Sequence, residues 1–176
     1  MKMIEIVSPF FICKFCNKKF INEKRFSSHE CKEKRRIDEA STRTGKLAHH
    51  YYNTWMNIRG RRSVSHETFT TSYYFKSFCK FVKFSREMGI PDVTRYIQFM
   101  IESDMPPNLW CHPTMYQNYI QWFDANTSPM ELAKLSINTI LELTKVFDCP
   151  PGDVFDQLIP LELMNLIHSR KLSPWI

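Results

Sequence analysis

One short stretch, residues 11–32, limits the possible folds of this chain more than any other: FICKFCNKKFINEKRFSSHECK. It contains four potential metal ligands, Cys13, Cys16, His29 and Cys31, in the spacing Cys-x2-Cys-x12-His-x-Cys. Two thiolates separated by two residues can hold one ion from the same side of a tight turn, and the gap that follows is that of a ββα zinc finger. The stretch therefore predicts a small module folded around Zn²⁺.

The apolar residues of this stretch support the same interpretation. Phe11 precedes the first cysteine by two residues, Phe20 follows the second by four, and Phe26 precedes the histidine by three. In a ββα finger these positions form a miniature core beneath the metal. A chance cluster of buried cysteines would not explain the three phenylalanines.

The fourth ligand departs from the usual spacing, in which the last two ligands lie three to five residues apart on one helix face. His29 and Cys31 are two residues apart, which on a regular helix places them about 200° apart around the axis. Either the helix ends at His29 and Cys31 turns back to the ion, or His49 or His50 supplies the fourth ligand.

The positive charge of the chain is concentrated at this end. Residues 1–62 contain 15 Lys and Arg against 6 Asp and Glu, a net charge of +9, whereas residues 63–176 contain 9 against 12, a net charge of −3. A basic module on a neutral or acidic body is typical of nucleic-acid-binding proteins, although a basic stretch alone can be a solvated surface.

A nucleic-acid interface can be assigned residue by residue from the finger pattern. Base contacts are expected from positions at fixed offsets before the histidine, where Arg25 suits guanine and Asn22 suits adenine. The base-reading candidates are Asn22, Lys24, Arg25 and Ser28. The phosphate-binding candidates are Lys14, Lys18, Lys19, Lys32, Lys34, Arg35, Arg36, Arg61 and Arg62. Because one finger reads only about three base pairs, the following helix, residues 44–62, or a partner is expected to add contacts.

The rest of the chain predicts an all-α body. Apolar residues recur at helix spacing over residues 73–88, 91–101 and 115–126, Ser128 and Glu131 form a capping box, and a last helix is expected at residues 160–168. Strand and hairpin signals are poor. The predicted fold is mainly α, with residues 1–36 as zinc finger and lead-in, 37–62 as a basic helical connector and 63–176 as an all-α domain.

Catalytic signatures are scarce. The sequence lacks GxSxG, Walker, GxGxxG and HExxH motifs. The pair His49-His50, with Asp38 or Glu39, could form a nuclease metal site, and Cys111 beside His112 could be a reactive thiol, but a surface role and a structural turn are the simpler interpretations. Phe75, Phe78 and Phe84, with Lys76, Lys80 and Lys83 between them, could stack bases, although their helix spacing favours a core.

The environment can also be predicted. No apolar run approaches the roughly 18 residues of a membrane span, and the first residues lack a signal-peptide cleavage site. Three cysteines belong to the finger, and Cys79, Cys111 and Cys149 are dispersed among apolar residues, which is typical of a reducing compartment. We therefore expect a cytoplasmic protein that does not contact membranes.

The segments CKFCNKKF and FSSHECKEKRR, together with an aromatic helical body and the step Trp110-Cys111, resemble a group of small zinc-finger proteins encoded by large contractile-tailed bacteriophages. The resemblance covers residues 11 to 145. It implies a phage origin, action in the host cytoplasm, a bound zinc ion and a His-x-Cys ending that includes Cys31, and it implies no mechanism.

Three functions follow as expectations. The first is a zinc-stabilised accessory or regulatory protein that binds nucleic acid, DNA rather than RNA, without catalysis. The second is an adaptor whose finger docks on a polymerase or replication protein. The third is a nuclease that uses His49 and His50.

Overall fold

The computed structural model describes residues 10–173, so the lead-in at residues 1–9 lies outside the described part. The described chain starts with two short antiparallel strands, β1 (Phe11–Ile12) and β2 (Lys19–Phe20). Phe11 pairs with Phe20 and Ile12 with Lys19. This hairpin and the first helix form the finger, and every later element is helical.

Most of the helices begin at a residue whose side chain caps them. Asn22, Thr42, Ser65, Asp92 and Ser128 each accept a hydrogen bond from a backbone N–H of the first turn that they precede. The mainly α fold class with an N-terminal ββα-like finger is confirmed. The helices are α1 (Glu23–Ser27), α2 (Lys32–Ser41), α3 (Arg43–Ile58), α4 (His66–Thr71), α5 (Phe75–Glu87), α6 (Val93–Glu102), α7 (Pro113–Asn126), α8 (Pro129–Phe147), α9 (Val154–Gln157) and α10 (Pro160–His168).

An aromatic core holds the helical body together. Phe75 and Phe78 are buried in it and Phe84 is half-buried against it, so the core interpretation of these phenylalanines is confirmed over base stacking. Trp110 and Tyr96 are fully buried, and the Tyr96 hydroxyl donates to the carbonyl of Trp110 at 2.7 Å. Burial of such rings is a large favourable contribution to the folding of the helical body.

The segment predicted as a connector, residues 37–62, lies mostly in α2 and α3. Its buried residues Ala40, Ala48, Tyr52 and Trp55 belong to the same core as α5 and α6. A tight corner at Thr42 joins the two helices. The side chain of Thr42 caps α3, so the predicted connector is two helices that meet at this residue.

The C-terminal helices α8 to α10 expose many apolar side chains to solvent. The predicted capping box at Ser128 and Glu131 starts α8, and Arg170 forms an ion pair with Asp124 of α7 at 2.6 Å. Large apolar side chains nevertheless remain exposed along this region. They are Met130, Ile137, Leu141, Val146, Phe155, Ile159, Leu161 and Met164. Among the described residues, no helix combines the length and apolarity needed to cross a membrane.

Candidate metal centre and basic surface

The first two cysteines are positioned by the turn between the strands of the finger. The backbone N–H of Cys13 donates to the carbonyl of Lys18 at 2.9 Å, and that of Asn17 donates to the carbonyl of Cys13 at 2.8 Å. Asn17 closes the turn with a φ of 54°, a left-handed conformation that asparagine tolerates better than most residues. The turn brings the thiols of Cys13 and Cys16 to one side.

The last two ligands lie beyond the short helix α1. The helix ends at Ser27, and the N–H of His29 donates to the carbonyl of Phe26 at 3.1 Å. Cys31 is the N-cap of α2, and its Sγ accepts a hydrogen bond from the Lys34 N–H at 3.4 Å. Because His29 and Cys31 do not share a helix, the 200° separation of a regular helix does not apply to them.

The four side chains form one group. The sulfurs of Cys13, Cys16 and Cys31 and a ring nitrogen of His29 lie within 4.8 Å of one another, and Cys16 Sγ lies 3.3 Å from His29 Nε2. A tetrahedral ion with metal–sulfur bonds of about 2.3 Å needs ligand atoms roughly 3.5–4 Å apart. The group could therefore hold a metal ion with only small side-chain adjustments.

The alternative fourth ligands have other contacts. The Nε2 of His49 lies 2.8 Å from the carbonyl oxygen of Val64, and its ring stacks on Phe69. His50 is exposed on α3. Of the two options that the sequence left open, the structure places Cys31, and neither of these histidines, beside Cys13, Cys16 and His29.

The three predicted phenylalanines lie under the group. The rings of Phe11 and Phe26 are 5.7 Å apart, those of Phe20 and Phe26 are 5.8 Å apart, and Phe20 is 4.8 Å from the ring of His29. This small core orients the imidazole. It leaves Phe11 39% exposed, so it cannot provide much of the stability of the finger.

The electrostatics of the group favour a cation. The backbone N–H groups of Cys16 and Phe15 lower the pKa of the Cys13 thiol to about 6, which favours the thiolate form that binds a metal ion. The Lys18 backbone N–H lowers the pKa of Cys16, but burial and the neighbouring thiols outweigh it and leave this pKa raised.

The base-reading candidates are only partly available. Lys24 and Arg25 are exposed on α1. The Oδ1 of Asn22 accepts a hydrogen bond from the Lys24 N–H at 2.8 Å, and the Ser28 hydroxyl donates to the carbonyl of Arg25 at 3.4 Å. Asn22 and Ser28 therefore contribute to the local structure of α1, a helix of only five residues.

Two of the phosphate-binding candidates have partners within the protein, and the others are exposed without an ion pair among residues 10–173. Arg35 pairs with Glu30 at 3.0 Å on the surface. Arg36 points inward: its guanidinium packs over the ring of Phe75 and donates to the carbonyl of Ser72, so this residue anchors α2 to the body. The other candidates are exposed and have no ion pair within residues 10–173. They are Lys14, Lys18, Lys19, Lys32, Lys34, Arg61 and Arg62.

The possible catalytic groups do not assemble. Within residues 10–173, the metal-binding cluster of the finger is the only group of three or more His, Cys, Asp or Glu side chains that could hold an ion. His49 and His50 thus form no such site with Asp38 or Glu39. The Nδ1 of His112 accepts from the Thr114 N–H at the start of α7, and burial raises the pKa of Cys111 to about 11. The Cys111–His112 step is a structural turn.

Three exposed cations on or just after α3 are missing from the sequence assignment: Arg43, Lys46 and Arg59. The sequence signal that could have identified them is the absence of acidic residues around them. Residues 40–66 contain no Asp or Glu, although Asp and Glu together number 18 in the chain.

Comparisons of the chain with protein-family models, with characterised proteins and with solved structures find no match.

Proposed function

We propose that this chain is a zinc-stabilised nucleic-acid-binding protein with an accessory or regulatory role, that it prefers DNA to RNA, and that it acts in the host cytoplasm of a phage infection. The observation that carries the proposal is a Cys3His group at the centre of a strongly basic segment.

Zinc is the ion that this donor set favours. Three thiolates and one imidazole suit Zn²⁺, whereas Mg²⁺ and Ca²⁺ take oxygen ligands. Four protein ligands also fill a tetrahedral shell and leave no position for a substrate or an activated water. The zinc would therefore fold the finger and would not catalyse a reaction.

The exposed cations support binding to phosphates. Lys14, Lys18 and Lys19 lie on or beside the two strands, and Lys32 and Lys34 lie in the first turn of α2. Each cation that neutralises a phosphate releases a condensed counterion, which makes such binding steeply dependent on salt.

Sequence readout is expected to be limited. Lys24 and Arg25 remain as base-reading candidates on a five-residue helix, and a side chain that caps the helix, such as Asn22, is not free to pair with adenine. Contacts to the backbone position a protein without specifying a sequence. We therefore expect an affinity that varies little between duplexes of different sequence.

The test is fluorescence anisotropy of the full chain with labelled duplex DNA, single-stranded DNA and duplex RNA over a series of salt concentrations. Zinc-loaded protein should bind the DNA duplex, with affinity that falls steeply with salt, and Cys16→Ser should reduce this binding at least about tenfold because the module loses its metal. Cys149→Ser, at a cysteine outside the group, is the matched control. Absence of binding at low salt, or a response that does not change with salt, would refute the proposal.

An adaptor function is the second candidate, favoured by the exposed apolar side chains of α8 to α10. Residues 129–168 contain six acidic residues and two lysines, so the fitting partner is a basic protein surface with an apolar centre, such as one on a polymerase or replication complex. The variant Ile137→Asp/Leu141→Asp should lose a nuclease-resistant partner while it keeps duplex binding. Loss of both activities, or of neither, would count against this candidate.

A further inference from the structure

We propose that the exposed side of α3 and the loop that follows it form a second surface for the phosphodiester backbone. This inference rests on the proposed nucleic-acid binding and enlarges it beyond the finger. The surface, called here the α3 basic face, consists of Arg43, Lys46, His50, Asn57, Arg59, Arg61 and Arg62, all of them exposed.

Helix geometry places the helical members on one side. Positions 43, 46, 50 and 57 recur at intervals of three, four and seven residues, which superimpose along an α-helix. The opposite side carries Gly45, Ala48, Tyr52 and Trp55, which are buried in the body. From residue 43 to residue 57 the face is about 21 Å long, enough to follow several consecutive phosphates.

No ion pair among residues 10–173 neutralises the charge of this face. The run from Ala40 to His66 contains five Lys and Arg and no acidic residue. The ion pairs within residues 10–173 are Arg35–Glu30 and Arg170–Asp124, and neither involves this face. A face that served only solubility would gain from mixed charges, which are found elsewhere on the chain.

Two of the cations are placed where they oppose helix stability. Arg43 and Lys46 lie in the first turn of α3, which contains no acidic side chain. The N-terminus of a helix carries a partial positive charge, so cations there destabilise the helix and anions stabilise it. A phosphate bound at these side chains would remove this repulsion.

The end of α3 presents the remaining cations. Gly60 has a φ of 69°, its N–H donates to the carbonyl of Asn57 at 2.9 Å, and the Arg61 N–H donates to the carbonyl of Met56 at 2.9 Å. This left-handed ending satisfies the last carbonyls of the helix. The guanidinium of Arg59 packs 4.9 Å from the centre of the Trp55 ring, which fixes its position and leaves its N–H groups available to a phosphate.

The experiment measures binding of the zinc-loaded full chain to a labelled DNA duplex of about 20 base pairs over a range of NaCl concentrations. The variant Arg43→Glu/Lys46→Glu should weaken binding at least about tenfold and lower the slope of log K against log salt by about 2, since two phosphate contacts are lost. Its Tm should stay the same or rise, because acids suit the first turn of α3. A merely structural role would lower the Tm.

The matched control is Lys76→Glu/Lys80→Glu, which reverses two exposed lysines in the N-terminal half of α5. It should weaken binding less than about threefold, through net charge alone. A second test variant, Arg61→Gln/Arg62→Gln, alters only the loop after α3. If Arg43→Glu/Lys46→Glu loses stability, the DNA affinity of this loop variant tests the α3 basic face in its place.

The outcomes separate the two proposals. If the wild-type chain does not bind, the proposed function fails. Suppose that the wild-type chain binds and that Lys18→Glu/Lys19→Glu in the finger weakens this binding. If both α3-face variants then behave like the α5 control, the finger binds DNA alone and the second surface is refuted. Loss of affinity and salt slope in the α3-face variants, with folding retained, supports the second surface.

Discussion

The finger and the helical body of this chain obtain their stability in different ways. In residues 10–31 the only buried side chains are the two ligands Cys13 and Cys31, and α1 buries none. In the body, by contrast, Phe78, Tyr96, Trp110 and their neighbours are fully buried. A module this small cannot bury enough apolar area to fold by itself, so under the proposed function a bound ion takes the place of a core.

The two regions meet at Cys31 and α2. Cys31 is at once a member of the metal-binding group and the N-cap of α2, and five residues later Arg36 packs on Phe75 of the body core. A displacement of the ligand group therefore acts on the start of α2 through the side chain of Cys31.

The largest effect should come from removal of the metal. Chelation, or Cys13→Ser, is expected to unfold residues 10–31, since structural zinc contributes about 10–16 kcal/mol to the folding of such modules. The helical body should stay folded, because its aromatic core contains no ligand. Amide NMR dispersion for the finger and near-ultraviolet circular dichroism for the body report the two regions separately.

Alkylation of the cysteines with iodoacetamide gives an independent readout of the same prediction. After chelation at pH 8, Cys13, Cys16 and Cys31 should react readily. Burial raises the pKa of Cys79 to about 12 and that of Cys111 to about 11, so both stay protonated thiols at this pH. Compared with a full thiolate, Cys111 should react about a thousandfold more slowly and Cys79 about ten-thousandfold more slowly. Rapid labelling of Cys79 in the chelated protein would show that the body unfolds together with the finger.

The second effect, in order of size, should come from the aromatic core. Phe78→Ala removes a ring that contacts Tyr52, Trp55 and Trp110 and should lower the free energy of unfolding of the body by about 3–5 kcal/mol. Tyr73→Ala, at a side chain that is 88% exposed, is the control and should change it by less than about 0.5 kcal/mol. Denaturant titration measures the free energy of unfolding. Metal analysis measures the metal stoichiometry, which should remain unchanged in both variants.

What the sequence predicted well was local in the chain. The spacing Cys-x2-Cys-x12-His-x-Cys lies within 19 residues, and the capping box of Ser128 and Glu131 within four, so each could be recognised from neighbouring residues. The zinc identity and the nucleic-acid ligand remain predictions.

What the sequence did not reveal depends on distant contacts. Arg36 was assigned to phosphates with its basic neighbours, yet its guanidinium contacts Ser72 and Phe75, more than thirty residues away. The sequence predicts one helical connector over residues 37–62, whereas the structure breaks it at Thr42 and buries Gly45 in the corner between α2 and α3. Such placements follow from packing and not from local preference.

The smallest of these effects, and the one that tests how the two regions are joined, is Gly45→Ala. A Cβ at this position would clash with the carbonyl oxygens of Glu39 and Ala40 at the end of α2, and backbone atoms cannot move aside as a flexible side chain can. We expect a loss of about 1–3 kcal/mol in the free energy of unfolding, measured by denaturant titration. Gly152→Ala, where a Cβ would meet no atom within 4 Å, is the control and should have almost no effect.

The metal affinity of Gly45→Ala then distinguishes two forms of coupling. If the corner between α2 and α3 only joins the helices of the body, the variant should bind metal as tightly as the wild type, because the finger ligands all precede α2. If its affinity falls in proportion to the loss of stability, Cys31 transmits the displacement of α2 to the ligand group. The finger and the helical body would then fold as one cooperative unit, although one has a group of ligands at its centre and the other an aromatic core.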